Sequence, residues 1–580
     1  MKKMAVQDTF DQGMQALKEG DYAAAFKLFR RAAEGGDMEA QYKLGCMYLK
    51  GHGTKKDNKK AVQWFRRAAN QGYPDAQFNL GCMYDVEQGT EKNYLEAVNW
   101  YEKAASQGHA EAQFLLGYMY EDGHGVQQDY SIAVKLYRKA AQQGHVHAQY
   151  SLGRMYQEGC GVEQSDAKAA EWCRKAAKQG YANAQYSLGV MYQEGWGVKR
   201  NEKKAVELYR KAAEQGHAKA QYDLAYAYSM GRGVGQDDAE AAEWYRRAAE
   251  QGHSQAQCKL GLMYDVGRGI RQDHVEAARW LRMAADQGDA GAQTVLAIMY
   301  DAGRGVEQDH AEAVKWSRMA AEQGDAWAQT GLGRMYAMGL GGEKDLMKAV
   351  KWLRKAADLG NASAQTNLDD LESERMTLKA AEQGDAEAQY NLGNLYRDGA
   401  WIVEQNDVEA VKWYRKAAEQ GHVLAQRDLG LMYCEGQGIE QNEVDAAKWF
   451  RMAAEQGDAA AQTLLAAIYA EGIGVEQSDV EATKWYGKAA EQGVACAQLK
   501  LGLMYYEGRG VEQDDVEAVK WFRMAAEQGD DDAQTLLATM YAEGVGVKQD
   551  DAEAVKWHLK AAEQGNANAQ DALLRNAEQG

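Results

Sequence analysis

Few side chains in this sequence combine the types and spacing that catalysis or ligand binding requires. Ser165 and Lys168 match the Ser-x-x-Lys pattern of β-lactamase-type acyl transfer, but no Ser-Asp-Asn or Lys-Thr-Gly sequence accompanies them. The stretch Gly231-Arg-Gly-Val-Gly lacks the preceding strand and the lysine of a phosphate-binding loop. His145-x-His147 alone is too small a set for a metal site. These residues therefore predict no catalytic residue, no metal site and no cofactor.

Histidines and cysteines recur without forming a recognisable site. Seven cysteines are scattered, and no close pair resembles a metal or redox motif, which is typical of a reducing compartment. Five histidines follow a glycine at one repeated position, and we interpret them as solvated residues at helix starts: His109, His145, His217, His253 and His422.

The elements that carry these residues belong to a repeat. Glutamines that each follow an alanine stand 36 residues apart from Gln41 to Gln365, and again from Gln426 to Gln570. Such a period is typical of arrays in which each unit buries its apolar face against its neighbours. In the unit that begins at Gln185, two apolar stripes flank a Gly-x-Gly-Val break, which predicts helix, loop, helix. We therefore expect an all-α chain of stacked helix-loop-helix repeats.

The second helix of each unit has a predictable start and core. Asp, Asn or Ser stands four residues before its first alanine, as at Ser165 and Asn201, and these types are preferred N-caps. This position makes Ser165 a structural residue in our interpretation. Nearly every second helix also has a tryptophan, such as Trp100, which we expect to be a core residue and not part of a ligand cage.

The charge and hydropathy of the chain limit the classes of partner that it can bind. The 580 residues include 67 Lys and Arg against 86 Asp and Glu, a net charge of −19, which argues against nucleic-acid binding and against docking on anionic membranes. No run of 18 apolar residues predicts a membrane span, and the N-terminal segment has no apolar core of signal-peptide length. We expect a cytoplasmic protein, with export by a signal-independent route left open.

The motifs Ala-Gln-x-x-Leu-Gly-x-Met-Tyr, Gly-x-Gly-Val and Ala-Val-Lys-Trp-Tyr-Arg-Lys-Ala-Ala-Glu-Gln-Gly resemble the Sel-one-like repeat, a relative of the tetratricopeptide repeat with a longer internal loop. The resemblance covers nearly the whole chain and recurs fourteen times. It implies a right-handed superhelical α-solenoid that binds other proteins and is not an enzyme. The near-identical units suggest a bacterial source. The oligomeric state stays open.

Departures from the period divide the chain. Twelve residues are missing after Gln365, and we interpret this stretch as a fused helix or a joint between two blocks. The expected organisation is an N-terminal tetratricopeptide-like capping repeat, nine Sel-one-like repeats, a truncated repeat or joint, five further repeats and a C-terminal half repeat: 1–38, 39–364, 365–386, 387–567 and 568–580.

Positions that vary within the constant frame are the candidates for partner binding. The fifth residue after each repeated glutamine lies on the first helix, which lines the concave face in solenoids that resemble this one. Aromatic and arginine side chains there suit a protein groove. Two tryptophans outside the periodic position are expected to be exposed in loops. The candidates are Tyr118, Arg154, Tyr226, Arg334, Trp196 and Trp401. We predict a non-enzymatic scaffold or adaptor for a partner protein or peptide; the alternatives are a β-lactamase-like hydrolase and an exported host-interacting protein.

Overall fold

A computed structural model describes residues 2–579 of the chain. These residues form thirty-two α-helices and no β-strand, packed as consecutive helix pairs, which confirms the predicted all-α repeat fold. The chain divides into two compact units, residues 1–320 and 321–580.

The first unit consists of repeats in which a first helix packs against the second helix that follows it. The first helices are α1 (Lys2–Lys18), α3 (Met38–Lys50), α5 (Pro74–Asp85), α7 (Ala110–Asp122), α9 (Val146–Glu158), α11 (Ala182–Glu194), α13 (Ala218–Met230), α15 (Ser254–Val266) and α17 (Ala290–Ala302). The second helices are α2 (Tyr22–Glu34), α4 (Asn58–Asn70), α6 (Tyr94–Ser106), α8 (Tyr130–Gln142), α10 (Asp166–Lys178), α12 (Glu202–Glu214), α14 (Asp238–Glu250), α16 (His274–Asp286) and α18 (His310–Glu322).

The second unit contains the same kind of repeat and one longer helix, α21 (Ala362–Glu382). Its first helices are α19 (Ala326–Met338), α22 (Ala386–Asp398), α24 (Val423–Glu435), α26 (Ala459–Glu471), α28 (Ala495–Glu507), α30 (Asp531–Glu543) and α32 (Ala567–Gln579). Its second helices are α20 (Leu346–Asp358), α23 (Asp407–Glu419), α25 (Glu443–Glu455), α27 (Asp479–Glu491), α29 (Asp515–Glu527) and α31 (Asp551–Glu563).

Local chemistry explains the loop inside each repeat. Helix α11 is followed by its C-cap Gly195, whose φ of 84° is left-handed and therefore favours glycine. Two residues later, Gly197 lies against the start of α10, where a Cβ atom would be 2.0 Å from the carbonyl oxygen of Asp166. The side chain of Asn201 then accepts a hydrogen bond from the amide of Lys204 and caps α12. The loop is thus fixed by two glycines and one cap.

The repeated glutamine is buried between consecutive repeats. The side-chain amide of Gln185 donates to the carbonyl oxygen of Ala177 at 3.3 Å, and its own oxygen accepts from Gln215 at 2.8 Å. The glutamine on the first helix α11 therefore links the C-terminal ends of the two second helices on either side of it, α10 and α12.

The repeated tryptophans, which the sequence predicts to be core residues, lie at the edge of the core. Trp100 is 8% exposed, but the fully buried ring is that of the next residue, Tyr101. The ammonium group of Lys103 lies 3.9 Å from the centre of the Trp100 ring. The indole is therefore at the edge of the core, with a cation covering its outer face.

The shortened unit forms one continuous helix. Helix α21 runs unbroken from Ala362 to Glu382, and Leu368 and Leu371 are buried in the cluster that it shares with α19 and α20. Its Glu374 accepts a 3.0 Å hydrogen bond from the backbone amide of Ile402, in the loop that follows α22. The missing residues therefore leave a helix on which a later loop is anchored.

Candidate functional site

The fifth-position row consists of the fifth residue after each repeated glutamine in the first helices. Every member of the row is at least partly accessible to solvent, and Tyr118 and Ile298 are 44% and 52% exposed. The neighbouring Leu and Met side chains of the same helices are buried, such as Leu116 and Met119 beside Tyr118. The fold therefore leaves this row available for contact. Its role in partner binding remains a prediction.

Tyr118 is the most exposed aromatic side chain of the row. Its ring lies edge-on to His124 with centroids 6.2 Å apart, and a hydrogen bond to Asp122 raises the pKa of the Tyr118 hydroxyl. Both neighbours belong to the same repeat, at the end of α7 and in its loop. The ring is thus oriented locally and leaves a face in solvent.

Arg154 forms an ion pair within the protein. Its guanidinium pairs with the carboxylate of Glu121, a buried residue of α7 that is 8% exposed. The hydroxyl of Tyr137 donates to the other oxygen of Glu121 at 2.6 Å. Arg154 therefore neutralises a buried carboxylate between α7 and α9, and this pairing limits what it can offer to a partner.

Tyr226 lines an apolar groove between α13 and α15. The groove has a volume of about 230 Å³, and its walls are formed by Tyr226, Met230, Leu262 and Val266. Met230 and Val266 are 52% and 64% exposed, although both are large apolar residues. Exposed apolar side chains that lie next to one another are a feature of interaction surfaces.

The other three candidates differ in exposure. Arg334 on α19 is exposed, and Trp196, in the loop after α11, is 42% exposed as predicted. Trp401 is half-buried and packs against the cluster formed by α19, α20 and α21. The prediction of an exposed loop side chain is therefore wrong for Trp401, because α21 anchors the loop that carries it.

Ser165 and Lys168 are not arranged as a catalytic pair. The hydroxyl of Ser165 accepts a 3.4 Å hydrogen bond from the amide of Lys168 and is the N-cap of α10. The ammonium group of Lys168 lies 5.4 Å from the centre of the Tyr156 ring. Among the described residues, no group of three or more His, Cys, Asp or Glu side chains could hold a metal ion.

The five histidines at the repeated position are not solvated, and that interpretation is wrong. Each is partly buried, and its Nδ1 atom accepts the amide of the third residue on, at 3.1–3.3 Å, and so caps a first helix. Each ring also stacks on an aromatic ring of the preceding first helix at 4.7–4.9 Å. The pairs are Phe78–His109, Phe114–His145, Tyr186–His217, Tyr222–His253 and Tyr390–His422.

A sequence signal for these stacks exists. Units with Phe or Tyr directly after the repeated glutamine have His or Tyr at the next first-helix cap, whereas units with Thr, such as Thr294, have Asp, Val or Asn there. This pairing across about 31 residues links consecutive repeats. This co-occurrence in the sequence was sufficient to predict that the histidines contact the neighbouring repeat.

Of the helices that the structure describes, none combines the length and the hydropathy that a membrane crossing requires.

A family model for the Sel1 repeat matches fifteen segments of the chain. The matched residues are 10–37, 39–73, 74–109, 110–145, 146–181, 182–217, 218–253, 254–289, 290–325, 328–361, 386–422, 423–458, 459–494, 497–530 and 531–566. The first match covers the unit with tetratricopeptide-like spacing, and no match includes any residue of α21.

Among solved structures, the chain is similar to a protective antigen of uropathogenic Escherichia coli that displays an SLR fold. The two are 37% identical over 82% of this chain and 97% of that chain, with a TM-score of 0.44. A Sel1 repeat protein from Oxalobacter formigenes is 35% identical over 56% of this chain and 93% of that chain, with a TM-score of 0.43.

Among curated proteins, the DAP3-binding cell death enhancer 1 of Rattus norvegicus is 46% identical over 50 residues, 9% of this chain and 10% of that protein. The Mus musculus protein of the same name is 41% identical over 61 residues, 10% of this chain and 12% of that protein. The chain thus spans about a tenth of the length of these curated relatives.

Proposed function

Because this chain belongs to the Sel1 repeat family, we propose that it is a non-enzymatic scaffold or adaptor that binds a partner protein or peptide along its first helices. Repeat proteins of this kind bind through extended surfaces built from many units. Affinity then comes from several modest contacts around a few aromatic, apolar or arginine anchors.

The observation that carries this proposal is the exposure of large side chains on the first helices. Tyr118, Met230, Val266 and Ile298 are between 44% and 64% exposed, while the inward faces of the same helices are buried. No packing requirement of the repeat accounts for this exposure. A partner that covers these side chains would remove apolar surface from water.

The six candidate residues enter the proposal in different ways. Tyr118, Tyr226, Arg334 and Trp196 can reach a partner directly, because solvent reaches their side chains. Arg154 acts mainly by holding α7 against α9, and Trp401 by anchoring its loop. We expect the direct group to affect binding without affecting folding.

The compartment and source belong to the same proposal. All seven cysteines are free thiols, which supports the cytoplasm, and the net charge of −19 supports a protein partner over a nucleic acid. A bacterial source is proposed from the near-identity of the repeats. The Ser165 hydroxyl caps α10, and this structural role gives no support to the hydrolase alternative.

Affinity capture tests the proposal. The immobilised full chain is incubated with a lysate of the source cell, and captured proteins are compared between the wild type and a Tyr118→Ala/Tyr226→Ala variant. A control variant replaces Lys135, an exposed side chain of the second helix α8, with Ala. We expect at least one protein to be lost by the double variant and kept by the control. An identical set of captured proteins for all three chains would refute the assignment to the first helices.

A further inference from the structure

The groove between α13 and α15 lies where two consecutive first helices both end in a large apolar residue. In most repeats the last residue of the first helix is acidic, as in Asp122, Glu158 and Glu194. In α13 and α15 that residue is Met230 or Val266. Both are more than half exposed, so the change from an acid to an apolar side chain does not serve the core.

The two charged residues that line this groove are positive, although the chain as a whole is acidic. Lys259 and Arg268 are the charged residues among those that line it. Arg232 lies outside this lining. Its guanidinium is 5.5 Å from the centre of the Tyr226 ring, and it lines the adjoining recess with Glu202 and Asp223. Arg268 already forms an ion pair at 3.0 Å with Asp238, which does not line the groove. Lys259 and Arg232 form no ion pair in the part of the chain that the structure describes.

The size of the groove indicates a side chain and not a small molecule. Its volume of about 230 Å³ is below the 300–1,000 Å³ that is usual for small-ligand pockets. Tyr245 and Met263, which also line it, are buried, and the groove is open along the apolar walls of Tyr226, Met230, Leu262 and Val266. Such a groove suits one bulky apolar anchor of a longer segment.

We propose that this groove binds an acidic peptide segment through one bulky apolar side chain, and that carboxylates flanking this side chain pair with Lys259 and Arg232. The proposal rests on the proposed scaffold function and specifies the partner's chemistry. The apolar anchor removes the exposed surface of Met230 and Val266 from water, while the cations select for carboxylates on both sides of the anchor. A basic segment with the same anchor would meet like charges.

Photo-crosslinking to the full chain tests the proposal, because it detects weak complexes. The probe is a dodecapeptide of Asp and Glu with two central leucines that flank one benzoylphenylalanine, and its counterpart has Lys in place of every acid. Adducts are located by mass spectrometry after proteolysis. We expect the acidic probe to label residues 219–232 and 259–268 with at least tenfold higher yield than the basic probe.

Variants give a matched control. Met230→Glu/Val266→Glu places in the groove the residue that other repeats have at the same position, so the helices are expected to form. Val86→Glu makes the same change at the equivalent position after α5, where Val86 is 58% exposed. We expect the double variant to lose at least tenfold in labelling and Val86→Glu to keep the wild-type yield. Equal labelling by both probes, or adducts unaffected by the double variant, would overturn the proposal.

Two further outcomes separate the alternatives. Residues 321–580 have 45 acidic against 25 basic residues, whereas residues 1–320 have 41 against 42, so a second copy of this chain is a competing occupant. Self-association in sedimentation velocity that is lost in Met230→Glu/Val266→Glu would identify that second copy and refute a separate acidic partner. If lysate capture depends on Tyr118 and Tyr226 while the acidic probe does not label the groove, the partner chemistry is wrong and the scaffold function stands.

Discussion

The side-chain amide of Gln251 donates a 2.7 Å hydrogen bond to the side-chain oxygen of Gln221, thirty residues earlier. Gln221 in turn donates to the carbonyl oxygen of Ala213 at 3.1 Å and is 4% exposed. The same relationship recurs in both compact units, for example between Gln456 and Gln426 at 2.8 Å. The repeated glutamine is therefore the polar joint between consecutive repeats.

Replacing this joint is expected to loosen one repeat boundary. Gln221→Leu removes one hydrogen bond from the Ala213 carbonyl, which still accepts from Gly216, and one from the Gln251 amide, which can still donate to Arg247. Each lost bond costs about 0.5–1.5 kcal/mol locally. A long array does not unfold in one step, so the readout is hydrogen exchange of α12 to α14 by mass spectrometry. Gln255→Leu, at an exposed position of α15, is the control and should change protection by less than about 0.5 kcal/mol. Unchanged protection in Gln221→Leu would contradict this role.

Stability is expected to fall as the pH falls through the histidine range. Burial lowers the pKa of His145, His217 and His253 from the ordinary 6.5. The unfolded chain then binds protons more readily than the folded chain between the lowered pKa and 6.5, so stability is full above 6.5 and is lost below it. Each pKa unit corresponds to about 1.4 kcal/mol, and partial exposure reduces the contribution further.

The matched variant for this pH dependence is His145→Asn/His217→Asn/His253→Asn. Asparagine is a natural cap at this position, because Asn361 accepts from the amide of Ala364 at 3.1 Å. Hydrogen exchange of α9, α13 and α15 from pH 5 to 8, corrected for the pH dependence of the intrinsic exchange rate, should show a smaller loss of protection at low pH for the triple variant than for the wild type. Parallel curves for the two proteins would show that these stacks do not sense pH.

The second glycine of each loop is expected to be irreplaceable. Gly197→Ala forces a Cβ atom against the backbone of Asp166 and also strains a left-handed φ of 63°, which together cost about 2–4 kcal/mol. Gly216 has a φ of 87° with nothing within 4 Å of its added Cβ, so Gly216→Ala has the strain alone, about 1–2 kcal/mol. Hydrogen exchange of α10 to α12 measures both. Equal effects would rule out the close approach.

Arg154 is expected to stabilise the protein whether or not it binds a partner. Arg154→Ala leaves the buried carboxylate of Glu121 with the Tyr137 hydroxyl as its remaining hydrogen-bond donor, at a cost of about 1–3 kcal/mol. Glu121→Gln in the same background removes the uncompensated charge and should recover part of that loss. The double-mutant cycle, measured by hydrogen exchange of α7 and α9, gives the coupling. Strict additivity would mean that the ion pair contributes nothing.

Much of the repeat was predictable because its determinants are local. The cap at Ser165, the glycine break at Gly195 and Gly197, and the apolar stripes of α11 and α12 all act within a few residues, so periodicity and capping chemistry identify them. The missing residues after Gln365 were equally visible. That they produce one unbroken helix is a result of the packing of Leu368 and Leu371.

The candidate site was less predictable because its determinants lie in neighbouring repeats. The sequence by itself determined the helix-loop-helix units and which positions vary, since these follow from local propensity and spacing. Only the tertiary structure decided which variable side chains are free. Arg154 is paired with Glu121 and Trp401 is covered through α21, while Tyr226 lies beside an open groove. Exposure and pairing depend on side chains about 30 residues or more away, which only stacking of the repeats brings into contact.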